Sequence, residues 1–230
     1  FKFGVFTMSN GTTIYSGPSQ INGADIKAII TGTKTKSVNV KTGDMAQLWM
    51  FSADVKPTEA AKTGADSAVC GECPHRPLLA KTNNVKECYV NLGQAPNGIF
   101  KAKYDAGVPT VKKPLRLGAY GEPTALPFEL VQDAVNNSQG HTGYTHQWKE
   151  PEFQQFKTLL MASVDSIEEQ IEAQGMGWRT FRVRKAADAL MPGEIQCPAS
   201  KWGGMKTNCA KCLLCSGTSL DAKNVSEVEH

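Results

Sequence analysis

Between residues 45 and 190 the chain alternates short apolar runs with helical stretches, and this limits its fold more than any single motif does. Residues 45–52 (MAQLWMFS) are apolar over the length of a strand. In residues 114–123 (PLRLGAYGEP), Leu115 and Leu117 alternate with Arg116 into a glycine-rich end, as in a strand that runs into a loop. Residues 125–137 place Leu126, Leu130, Val131 and Ala134 at helical spacing; Pro127 suits the first turn and Gly140 the close. Residues 141–148 (HTGYTHQW) read as a short strand with Tyr144 and His146 on one face and His141 on the other. A short helical stretch at 152–158 precedes a buried strand at 159–164 (LLMASV). Ser166 and Glu169 form a capping box at the head of a helix through Ala173, which Gly175 and Gly177 end. Residues 179–184 (RTFRVR) alternate again, predicting a strand with Phe181 and Val183 inward and Arg182 on a solvated face.

Strands and helices in this order predict an α/β fold of parallel strands with helices outside, as a partial (β/α) barrel or an open parallel sheet. Ligands in such folds bind at the carboxyl ends of the strands. The glycines, His146, Asp165 and a cysteine loop all fall at such ends. Residues 1–44 read as a small strand-rich N-terminal region, with β-like runs at 2–8 and 25–31 punctuated by Gly11, Gly17-Pro18 and Gly23. Lys34, Lys36 and Lys41 give it a solvated basic edge. The α/β core spans 45–190, a cysteine-rich cluster-binding tail spans 191–227, and 228–230 fit a tag remnant.

The seven cysteines fall into two groups. Cys70, Cys73 and Cys88 follow the first core strand, and Cys197, Cys209, Cys212 and Cys215 lie near the end. An odd count with CxxC spacing favours metal ligation in a reducing cytosol over a disulfide framework. The run from Cys209 to Cys215 puts three thiolates on one tight loop, and Cys197-Pro198 offers a remote fourth, as a 4Fe-4S cluster requires. Four thiolates also suit tetrahedral zinc. For the first group, His75 or His141 would complete a zinc site, or a cluster would keep one iron open to a small ligand, or both groups would share one site. One or two clusters are therefore expected, with zinc as the alternative.

Gly118-Ala119-Tyr120-Gly121-Glu122-Pro123, followed by Leu126-Pro127 and a helix, resembles the Gly-Gly-Glu-Pro element of radical S-adenosylmethionine enzymes. Met161-Ala162-Ser163-Val164-Asp165-Ser166 resembles a later strand of that superfamily. With the two cysteine groups, the likeness spans about residues 45–215. It implies an open cluster on Cys70, Cys73 and Cys88, and an auxiliary one in the tail. It also implies that Gly121 and Glu122 meet the amino end of S-adenosylmethionine, with Ser163 and Asp165 lining the same mouth. The spacing differs: the superfamily's usual loop is C-x3-C-x2-C, whereas this chain has C-x2-C-x14-C. The Cys-Gly-x-Cys-Pro-x-Arg and Cys-Tyr-Val elements, with Gly-Tyr-Thr-His-Gln-Trp and Cys-Pro-Ala-Ser, resemble an uncharacterised family of phage-encoded cysteine-rich proteins. That resemblance implies the cytoplasm of an infected bacterium.

Other residues read more plainly. His146, next to Trp148, reads as a packed, hydrogen-bonded side chain, with a proton donor or ligand as the alternative. Arg116, Arg179, Arg182 and Arg184 would gather on neighbouring strands to bind a carboxylate or phosphate. The formal charge of +3 does not indicate nucleic-acid binding. No apolar run is long enough to span a membrane, and no signal-peptide pattern opens the sequence. The sequence thus reads as an iron–sulfur protein that takes a small-molecule cofactor or substrate and resembles a radical enzyme or its degenerate descendant. The rivals are a metal-stabilised binding protein, conceivably for nucleic acid in phage replication, and an electron carrier.

Overall fold

The computed structural model of the chain describes residues 10–217 and 221–229, so the expected strand at 2–8 lies outside the described residues. The described chain begins with β1 (Gly11–Pro18), which turns back through Gly23 (φ +76°) into antiparallel β2 (Asp25–Thr31). Next, β3 (Ala46–Ser52) pairs antiparallel with β2. Its residues are buried almost without interruption, as in a strand covered on both faces. Four short helices follow: α1 (Pro57–Thr63), α2 (Ser67–Cys70), α3 (Pro77–Asn83) and α4 (Ala95–Lys101). The chain then enters β4 (Leu115–Tyr120), parallel to β3, and crosses over through α5 (Phe128–Asn136) to β5 (His141–Thr142), parallel to β4.

Gly143 separates β5 from β6 (Tyr144–Thr145), and here the pairing changes partner: β6 runs parallel to β7 (Met161–Val164). An added Cβ on Gly143 would lie 2.6 Å from Leu160 and 2.9 Å from Leu117, so the crossing has room only for glycine. After α6 (Ile167–Gly175) come β8 (Thr180–Arg184), β9 (Glu194–Gln196), α7 (Cys209–Cys212) and β10 (Asn224–Val228). The result is a mixed α/β fold with two five-stranded sheets, ordered β1-β2-β3-β4-β5 and β6-β7-β8-β10-β9. The first sheet is mixed and the second wholly parallel, and they do not close into a barrel. Residues 105–107 bond to Thr13 and partly cover the β1 edge.

The structure revises several expectations. β1 pairs with β2 and β2 with β3, so residues 11–31 lie in the same sheet as the first core strands. Pro127 is the residue before α5, not part of its first turn. Leu159 and Leu160 close a 3-10 stretch at Pro151–Thr158, so β7 starts only at Met161. The expected strand at 141–148 ends at Thr145 and passes into a 3-10 turn at Gln147–Lys149. Arg182, expected on a solvated face, is 2% exposed and forms a two-pronged ion pair with buried Glu194 (3.1 and 2.7 Å), while Phe181 and Val183, expected inward, are only half-buried. The four arginines do not gather, because β4 lies between β3 and β5 while β8 lies between β7 and β10. Arg179 donates to the carbonyls of Ser216 and Lys223, and Arg184 to Gln196 and nearby carbonyls. Val228 is buried as the last residue of β10, and Glu229 N–H bonds to Arg184.

Candidate metal centres

The loop after β3 reaches its first thiol at the end of α2. Cys70 N–H donates to Asp66, the Cys73 N–H to Cys70 and the Arg76 N–H to Cys73, giving a tight turn around the CxxC. Arg76 fastens this turn from behind, bonding to Asp66 (2.8 Å), Gly71 (2.7 Å) and Gly64 (3.1 Å). Cys88 is far along the chain, but its N–H donates to the His75 carbonyl at 2.8 Å, which returns it to the same place. Cys70, Cys73 and Cys88 line one cavity of about 190 Å³ together with Tyr120. Removal from water and the neighbouring thiols push Cys70 well above the usual thiol range, and Tyr120 stands beside it. Such a group takes up negative charge only with a cation among the sulfurs, since a bound metal deprotonates its thiols outright.

The second group is assembled from four separate backbone attachments. The N–H of Cys197 donates to Ser226 of β10 (2.7 Å), and the carbonyl of Cys215 accepts from Gly143 (2.8 Å). Cys209 and Ala210 donate to the carbonyls of Lys41 and Thr42, while the Asn208 side chain caps α7 by accepting from Lys211. All four thiols, with Thr142 and Val225, line a single pocket. Burial pushes Cys197 up to about 11 and Cys215 up to about 12. The neighbouring Tyr144 hydroxyl holds the rise at Cys215 back. Arg116 stands near Cys88 of one group and Cys209 of the other, and donates to the Tyr89 hydroxyl at 2.6 Å.

At the strand ends beside the first group lies a chain of two histidines and two carboxylates. His75 Nδ1 bonds to the Lys86 carbonyl (2.7 Å) and its Nε2 faces Asp165 Oδ1 (3.2 Å). His146 Nδ1 bonds to Glu122 Oε1 (3.1 Å), and its Nε2 faces Asp165 Oδ2 (3.9 Å). The bond to Asp165 raises the pKa of His75. Burial disfavours charge on His146, but Cys73 and Glu122 outweigh it, so its pKa is well raised. Burial likewise opposes charge on Asp165, and His75 and His146 outweigh it in lowering its pKa.

The structure therefore brings the seven cysteines together as three and four, and it places Glu122 and Asp165 beside the first group. Gly121 is in a left-handed conformation (φ +86°), where an added Cβ would come within 3.0 Å of Met50 and 3.2 Å of the Val69 carbonyl. Glu122 is 6% exposed, and both of its oxygens also accept from the His146 N–H. Ser163 is buried in β7, where its carbonyl accepts from Trp148. His141 bonds to the Leu159 carbonyl (2.7 Å) rather than joining either thiol group. Sequence reasoning gave His146 to packing and missed Tyr120 and Tyr144 as neighbours of the thiols. Its one usable signal was alternation, because Thr142, Tyr144 and His146 share a strand face. No protein-family model, curated protein or solved structure matches this chain.

Proposed function

We propose that this chain is an iron–sulfur protein with two centres, one open and one closed. The observation that supports this most is the sorting of its cysteines: three line one cavity and four line a second pocket. An all-thiolate set of four is the donor set of a 4Fe-4S cluster. A set of three leaves one iron without a protein ligand, and the cavity of about 190 Å³ is where a small molecule would reach it. When bound, such clusters supply one-electron chemistry. The chain's own contribution is to hold the thiols in place, to set Tyr120 and Tyr144 beside Cys70 and Cys215, and to keep the Arg116 cation between the groups. Among the described residues no helix is long and apolar enough to cross a membrane. The likeness to phage-encoded proteins supports an infected bacterial cell as its setting.

Three of the four residues expected to hold S-adenosylmethionine are already engaged elsewhere. Both Glu122 oxygens are engaged by His146, Asp165 is paired with His75, and Gly121 is backed by Met50 and Val69. No step is therefore derived through that cofactor, and a degenerate descendant or an electron-transfer role fits these contacts better than reductive cleavage.

The test is anaerobic purification with iron and sulfide analysis, and absorption spectra before and after dithionite. About eight irons with matching sulfide are expected, falling to about four in a Cys212→Ser variant and separately in a Cys73→Ser variant. Zinc without sulfide would overturn the reading in favour of a structural knot. Tight S-adenosylmethionine binding would overturn the assignment of Glu122 and Asp165 to the histidines.

A further inference from the structure

The histidine–carboxylate chain borders the first cysteine group, whose Cys73 lies beside His146, and its hydrogen-bond directions are informative. Each ring directs Nδ1 at an acceptor, the Lys86 carbonyl for His75 and the Glu122 carboxylate for His146. Neither acceptor carries a proton to give, so each Nδ1 must be the N–H donor. In the neutral rings both Nε2 atoms are then unprotonated, and both point at the Asp165 carboxylate. Three lone-pair donors thus converge on one point from three elements: the loop after α2, the end of β6 and the end of β7. His146 Nε2 is buried without a hydrogen-bond partner, since its nearest carboxylate oxygen is 3.9 Å away.

We infer that His75 Nε2, His146 Nε2 and the Asp165 carboxylate form a site for a single divalent transition-metal ion, one that adjoins the first cysteine group at Cys73 without using its thiols.

The distances suit one ion. With bonds of about 2.1 Å, two ligands on the same metal lie no more than about 4.2 Å apart. The two histidine–Asp165 separations, 3.2 and 3.9 Å, fall inside that limit. All three ligand atoms lie within 4.8 Å of one another, so a small turn of the imidazoles closes the set. Metal-binding histidines characteristically donate their other N–H to a carboxylate or a backbone carbonyl, which fixes ring and tautomer, and both arrangements occur here. Cys73, Glu122 and His146 are a second close grouping, but Glu122 already occupies Nδ1 of His146 and so supports the ring rather than the ion. Two imidazoles and one carboxylate suit zinc or ferrous iron and leave coordination positions open for water or a substrate oxygen.

Zinc is the probe. The anaerobically purified full chain is equilibrated with Zn²⁺ against a chromophoric competitor, alongside His75→Gln, His146→Gln and Asp165→Asn. Wild type is expected to take up one more equivalent than each variant, with iron and sulfide unchanged in all four proteins. Zinc-edge X-ray absorption of that extra equivalent is expected to show nitrogen and oxygen neighbours at about 2.0–2.1 Å, not sulfur at about 2.3 Å. A Glu122→Gln variant should keep the site but bind roughly 10–100-fold more weakly. Equal uptake by wild type and every folded variant, or sulfur around the extra ion, would overturn the inference. The comparison is between proteins with the same cysteines, so it reads out even if those cysteines prove to hold zinc instead of clusters.

Discussion

Glu194→Ala is expected to be among the most destabilising single substitutions in this chain. Its carboxylate is fully buried and accepts from Arg182 Nε (3.1 Å), Arg182 Nη2 (2.7 Å) and the Met191 N–H (2.9 Å). Removing it leaves the guanidinium, 2% exposed, with only the Ala189 carbonyl as a described partner. Breaking a buried pair from one side costs about 3–5 kcal/mol, because the remaining charge stays buried and uncompensated. Domains are typically stable by only about 5–15 kcal/mol, so a large share of the total is lost. At a slope of about 2–3 kcal/mol per molar urea, a loss of ~4 kcal/mol moves the unfolding midpoint by roughly 1.3–2 M. Replacing both partners, as Arg182→Met with Glu194→Leu, should recover most of it, since an apolar pair of similar volume removes the desolvation penalty. The assay is urea unfolding of wild type, both single variants and the double variant, followed by circular dichroism. A Glu194→Ala protein within about 1 kcal/mol of wild type would refute the reasoning, as would a double variant no better than the worse single one.

Other expectations follow from the centres and their supports. If the four-cysteine pocket holds a cluster as proposed, Tyr144→Phe, which removes the hydroxyl beside Cys215, should lower its reduction potential by about 40 mV for each kcal/mol by which that hydroxyl favours the reduced state. Protein-film voltammetry should show the other centre unmoved. Gly121→Ala forces a side chain into a left-handed backbone against Met50 and Val69 and should cost about 1–3 kcal/mol, read as a lowered melting temperature. His141 is buried and its pKa is lowered by desolvation, so the unfolded chain binds the proton first as pH falls. Stability should therefore decline below about pH 6.5 and continue down to the folded pKa, and His141→Asn should flatten that part of the profile in urea titrations from pH 5 to 8.

The sequence was most informative where one physical rule dominated. β3 could be read because a strand buried on both faces must be apolar throughout, and α6 because Ser166 does accept from Glu169 N–H. The thiols were legible by residue type and fall into two groups along the chain, but spacing left open whether the groups share one site. The contacts that define the surroundings were not. Arg182 looks solvent-facing until Glu194, 12 residues later, is folded over it. His146 looks like a packing residue because Glu122 and Asp165 arrive from two other strand ends. β10 escaped notice because Ser226 and Glu227 interrupt its apolar character, although the strand is buried between β8 and β9. The misses at Arg182 and His146 concern polar side chains whose partners come from other elements, where periodicity carries no information.

The segment that crosses between the sheets has a further consequence. Thr142 lines the four-cysteine pocket, Tyr144 stands beside Cys215, and His146 stands against Glu122 and Asp165. Thr142 and Tyr144 lie on the two short strands and His146 just past the second, so no more than about 13 Å, four strand steps, separates the first from the last. The pitch of the pleat, not the ligands themselves, therefore sets the interval between the two ends of this protein's chemistry. Inserting or deleting one residue at Gly143 would reverse the facing of Tyr144 against Thr142 without altering a single cysteine.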